Sequence, residues 1–109
     1  PKPAVVSEEK EPFYDKLCQC SGIDFEERHD NIVKITDKVF ESIIKAMTIP
    51  NVWIKPTNVN DLRGDIGTVL RFSGIQPLKE NSESIVTELI KLAKSNESVL
   101  RKCTINNEQ

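Results

Sequence analysis

The feature that most constrains this chain is one long amphipathic run. Phe25, His29, Ile32, Val39, Ile43 and Met47 recur at steps of three, four or seven residues, and Ile35, Phe40 and Ile44 widen the same stripe. Glu26, Glu27, Asp30, Lys34, Asp37, Lys38, Glu41 and Lys45 fall mainly on the other face. That spacing matches a helix with one buried side, whereas a strand changes face at every second residue. Asp24 is a good N-cap, and Glu27 three residues on completes a capping box. Ile49-Pro50 stops the run, because proline disfavours the helical state in the residue before it. The expectation is a helix of about 24 residues.

The rest of the chain supplies elements for that stripe to pack against. Pro12 suits the first turn of a helix, and Phe13, Leu17 and Cys20 follow at helical spacing, giving a short helix from 11 to 20 that Ser21-Gly22 ends. The connector Pro50–Thr57 holds Val52, Trp53 and Ile54, apolar enough to be packed down. Thr57 or Asn58 then caps a helix carrying Val59, Leu62, Ile66, Val69, Leu70 and Phe72, closed by Ser73-Gly74. Gly64 and Gly67 lie inside it, each costing about 1 kcal/mol relative to alanine, which implies close helix packing or a break near 64. Ile75 to Glu80 reads as a loop around Pro77. Asn81, Ser82 or Ser84 caps a last helix with Ile85, Val86, Leu89, Ile90, Leu92 and Ala93, continued in phase by Val99, Leu100 and Cys103 beyond a weak point at Ser95-Asn96. The expected fold is all-α, a single compact bundle of four or five helices over 11–103, with 1–10 a flexible leader and 104–109 a frayed tail.

A chain of 109 residues with 38% apolar and 29% charged residues has enough for one core and a well-solvated surface. Net charge is −2, from 15 basic and 17 acidic residues that are interspersed, so neither steering to nucleic acid nor a polybasic membrane anchor is indicated. The apolar stretches are only a few residues long, too short to span a bilayer, and the opening residues lack a secretory pattern. Three cysteines, Cys18, Cys20 and Cys103, are an odd number, which fits reduced thiols in an intracellular protein, nuclear or cytoplasmic. A bridge from Cys18 or Cys20 to Cys103 is the open alternative.

Chemistry-bearing patterns are weak. Cys18, Cys20 and His29 could offer three zinc ligands on paper, but Cys-x-Cys chelates poorly, and His29 on the long helix reads as a packed or boundary residue. Asp15, Asp24, Glu26 and Glu27 surround the thiols in sequence and would raise their pKa, against a nucleophilic role. Gly64-x-x-Gly67 is followed by no lysine and preceded by no strand, unlike a phosphate loop. No enzyme activity, catalytic residue, metal or cofactor is expected.

A protein partner is expected instead. Trp53 lies between two prolines, where it is either a core plug or a recognition residue. Lys55, Arg63 and Arg71 flank the same segment beside Leu70, Phe72 and Ile75. Apolar residues rimmed by cations suit a short hydrophobic-acidic peptide, so Trp53, Lys55, Arg63, Leu70, Arg71, Phe72 and Ile75 form the candidate partner-binding set. Phe72 alone reads equally well as core. The alternatives are a self-associating scaffold, with Ile32, Val39 and Ile43 between chains, and a small nucleic-acid-binding helical domain.

The order of features also carries a resemblance. A helix ending in Ile49-Pro50, a connector reaching Ile54 and Thr57, a helix with Leu62, Gly64, Ile66 and Leu70-Arg71, and a further helix with Ile85, Leu89 and Ile90 resemble the TFIIS N-terminal-like helical domain family, over about residues 30 to 95. Bundles of this kind occur in Elongin A, a Mediator subunit, Iws and the integrase-binding domain of lens epithelium-derived growth factor. The resemblance implies a four- or five-helix scaffold that docks short motifs from disordered partners of the transcription machinery, and carries binding over to Leu70, Arg71 and Phe72. The chain departs from the family in having Asn96 and Glu97 where a late tryptophan is usual, in lacking its basic surface, and in a longer loop from Gly74 to Glu80.

Overall fold

Proline and glycine set most of the element boundaries. Pro12 sits in the first turn of α1 (Glu11–Ser21), and Gly22 ends that helix at φ 64°, a left-handed conformation that suits a residue without Cβ. The long amphipathic run forms α2 (Phe25–Met47), which stops just ahead of Pro50. The structure, a computed structural model, describes residues 6–22 and 25–107, with only the backbone described for 25–29 and 105–107. Asp24 and the side chain of Glu27, the expected capping box, lie outside the described residues.

The second half differs from its expected boundaries for identifiable reasons. α3 (Pro56–Arg71) begins at Pro56, with extended Lys55 rather than Thr57 or Asn58 as its N-cap. Proline's fixed φ matches the first helical position, and its missing N–H would have had no partner there. Residues 75–80 are not a loop: Ile75 is extended, and Gln76–Glu80 closes one helical turn, α4, with Pro77 in its first turn and Leu78 buried. The weak point after Ser95 is a complete break between α5 (Ser82–Ser95) and α6 (Glu97–Asn107). Asn96 holds it, sending both its backbone N–H (3.0 Å) and its side-chain amide (2.7 Å) to the Leu92 carbonyl. The fold is all-α, and six α-helices lie among the described residues, more than the four or five expected, because α4 and the α5–α6 break each add one.

Among the described residues, 6–10 and 104–107 are more structured than their polar sequences suggest. Glu8–Lys10 forms a 3-10 turn, Val6 packs against the core, and the Lys10 ammonium reaches Asp37 at 2.9 Å. α6 runs past residue 103 to Asn107, and Thr104 is buried with its hydroxyl donating to the Arg101 carbonyl.

α2 is the central element, packing against α1, α3 and α6, while α5 closes the other side on α1 and α3. Phe13, Leu17, Val39, Ile43, Ile66, Leu70, Leu89 and Leu100 are fully buried between these layers, and Phe13 meets Phe40 edge-on at 6.0 Å. Ile32, Val39 and Ile43 are enclosed within the single chain. They are therefore not available as a seam between two chains. No helix among the described residues is long and apolar enough to cross a membrane.

Candidate docking surface

Helical phase separates the end of α3 into a buried and a bare side. Leu70 is fully buried, yet two residues later a helix has turned about 200°, so Phe72, the C-cap residue, points outward. Its side chain is 84% exposed, and Ile75, three residues on, is back in the core at 2%. Leu70 and Ile75 thus leave the expected partner-binding set: they pack inside the bundle and present no surface. The apolar pattern had grouped Phe72 with the stripe, because a residue at the very end of a helix is poorly assigned to a face.

Phe72 borders a shallow depression of about 450 Å³ between α2 and α3, lined also by Asn31, Lys34, Ile35, Lys38, Thr68, Val69 and Ser73. Lys34 and Lys38 are exposed, one turn apart, and no carboxylate is among its lining residues. Arg71 lies close by, with its guanidinium Nη2 3.5 Å from the Thr68 hydroxyl. A second depression of about 470 Å³ continues along the same two helices, with Ser42, Lys45 and Ala46 on α2, Ile49 just beyond its end, and Asn60, Asp61, Leu62, Gly64 and Asp65 on α3. The start of α2 faces the end of α3 in the first and the reverse holds in the second, so the helices run antiparallel. Lys38 and Ser42, like Asp65 and Thr68, are one turn apart, so the two depressions lie end to end along the α2–α3 groove, a furrow in two halves with no lining residue in common.

The glycines of α3 do neither of the things expected of them. The helix is unbroken through residue 64, and a Cβ built on Gly64 would meet no atom within 4 Å. Gly64 is exposed on the furrow. Gly67 is buried beneath Arg71, whose guanidinium Nη1 would lie 2.8 Å from an added Cβ.

The other candidates lie away from Phe72. Trp53 is half-buried against the core, and its indole N–H donates to Glu97 Oε1 at 3.0 Å. The Lys94 ammonium sits 5.4 Å from its ring centroid, and Arg101 Nε donates to the other Glu97 oxygen at 2.7 Å. Arg101 also donates to the Met47 carbonyl at 2.8 Å, satisfying one of the acceptors left open at the end of α2. Arg101 beside it, and then Trp53, hold the Glu97 carboxyl below its ordinary pKa, because both donate to the charged form. Arg63 turns toward α5, donating to the Thr87 hydroxyl at 3.2 Å and pairing with Glu83 at 3.5 Å. Lys55 is exposed on the connector, next to Ile54, which is 74% exposed.

Of the seven expected residues, then, only Phe72 and Arg71 lie together on an open surface. Lys34, Lys38, Ile35, Val69 and Gly64 belong to that surface and were missed. The signal available was modest: Lys34 and Lys38 at helical spacing beside Ile35, and an interior glycine with no local reason. Glu97 as the partner of Trp53 carried no sequence signal, since it lies 44 residues away.

None of the three cysteines is in a disulfide, so the alternative bridge from Cys18 or Cys20 to Cys103 is not formed. Burial raises the Cys20 pKa, with Glu88 adding to it and Lys16 opposing, and burial does the same for Cys103. The side chain of His29 is outside the described residues, so the Cys18–Cys20–His29 set is not placed. Comparison with known proteins finds no matching family model, no matching curated protein and no matching solved structure.

Proposed function

We propose that this chain is a protein–protein interaction module that docks a short, intrinsically disordered hydrophobic-acidic peptide of a partner and catalyses no reaction. One observation carries this reading: Phe72 stands 84% exposed beside a furrow whose near half is lined by Lys34 and Lys38. An aromatic ring left in water while adjacent leucine and isoleucine are buried is available for a partner's apolar side chain. The lysines add charge complementarity, favouring acidic segments and faster encounter. Burial raises the Cys20 and Cys103 thiols, which argues against a nucleophilic role for them. The resemblance of residues 30–95 to the TFIIS N-terminal-like bundles supports a partner in transcription or chromatin machinery, and an intracellular setting, nuclear or cytoplasmic.

The test is affinity capture with wild-type, Phe72→Ala and Lys34→Glu/Lys38→Glu chains, followed by mapping of the bound segment. A partner retained by the wild type and lost with both variants is the expected result. Equal retention by all three would place the docking surface elsewhere. Binding that collapses with salt and is supported by nucleic acid alone would favour the nucleic-acid alternative.

A further inference from the structure

We propose that the docked segment is a helix lying along the whole α2–α3 furrow, approaching α3 most closely at Gly64, with carboxylates over the Phe72 half and a cation over the Ile49 half. This rests on the docking role above and adds the partner's shape, length and polarity.

The furrow follows α2 from Asn31 to its end at Met47, a rise of about 24 Å, and reaches Ile49 just beyond, a span that a helix of about 18 residues covers. Its floor includes Ile35, Ala46, Leu62 and Val69, and an apolar side chain stands at each end, Phe72 at 84% exposure and Ile49 at 39%. Two antiparallel helices leave a groove that a third can fill with its own ridge of side chains.

Midway, Gly64 on α3 and Ser42 on α2 keep the furrow low. Nothing within the chain requires glycine at 64, because an added Cβ would enter open space. A glycine that weakens its own helix without helping internal packing fits close approach by another backbone.

Charge sets the direction. Lys34 and Lys38 line one half with no carboxylate, whereas Asp61 and Asp65 line the other half together with Lys45. A phosphate backbone or an anionic lipid surface would meet those two aspartates over half its path, so a protein segment of mixed charge matches the furrow better.

The probe is a synthetic peptide of about 18 residues, leucines at helical spacing, glutamates flanking them in one half and lysines in the other. A second peptide is identical except for a central proline. Fluorescence anisotropy with the wild-type chain should show binding of the first peptide and at least about tenfold weaker binding of the second. Gly64→Gln should weaken the first peptide about tenfold while leaving Tm equal or higher, since glutamine is the better helix former. A nitroxide at the acidic end of the peptide should broaden amide signals near Phe72, not near Ile49.

Binding unchanged by Gly64→Gln but lost with Phe72→Ala would overturn the furrow while leaving the docking role intact. Indifference to both substitutions would end both. Absence of binding, equal binding of the proline peptide, or broadening near Ile49 overturns the helical, oriented segment. So would a doubling of mass in sedimentation that Gly64→Gln abolishes, because a second copy would then occupy the furrow.

Discussion

Trp53 and Phe72 stand at the two ends of α3 and meet opposite fates. Trp53, three residues before the helix, has its N–H bonded to Glu97, a cation over its ring and its body against the core. Phe72, one residue after the helix, has almost its whole side chain in water. The same class of residue is therefore a staple at one end and a bare surface at the other. Tryptophan has a donor that a partly buried site must satisfy, and α6 brings a carboxylate to it. Phenylalanine has no polar handle, and the two-residue offset from Leu70 carries it off the core side of the helix.

The comparison can be broken or sharpened by substitution. The largest expected effect is not at either aromatic but at Leu70, buried two residues before Phe72: Leu70→Ala should cost about 2–5 kcal/mol in urea unfolding. At the α6 end, Trp53→Ala should cost about 2–3 kcal/mol through lost packing and the hydrogen bond Glu97 no longer accepts from the indole, and Trp53→Phe, which loses the donor but keeps most of the aromatic packing, about 1 kcal/mol. Equal losses for the two would mean that the indole's hydrogen bond, not its bulk, joins α6 to the connector.

Gly64→Ala should raise stability by about 1 kcal/mol, because it improves helix propensity and the added methyl meets nothing. A loss of stability would show that the furrow closes on itself in solution. The pH response should be smaller. Glu97 titrates below its ordinary 4.5 in the folded state, so its contribution is complete above that pH and is lost as pH falls through the depressed folded value. Trp53 fluorescence should report the change, and Glu97→Gln should flatten it. The smallest effect belongs to Phe72→Ala, within about 0.5 kcal/mol of wild type. A cost comparable to that of Trp53→Ala would erase the distinction between the two ends.

How much of this was legible in the sequence differs from element to element. The extent of α2 was, because its apolar positions repeat over six turns and a proline follows. The short helix α4 was not, because one turn around Pro77 has too few residues to show a period. At the candidate surface, Arg71 and Phe72 were among the candidates, although Phe72 read equally well as core. Leu70 and Ile75 were misassigned to it because adjacency in sequence says little about which side of a helix end a residue faces. Arg63 and Trp53 were drawn into the same set, yet their hydrogen-bond partners lie on α5 and α6, and these pull them to different parts of the molecule.

By itself the sequence determined the all-helical class and the buried stripes, since propensity, proline placement and apolar period act over a few neighbouring residues. Only the tertiary structure decided that α2 and α3 run antiparallel with an open furrow, that Lys34 and Lys38 share it with Phe72, and that Trp53 is fastened to Glu97. Those are distances between segments far apart in the chain, set by how the helices pack, and no local pattern encodes them.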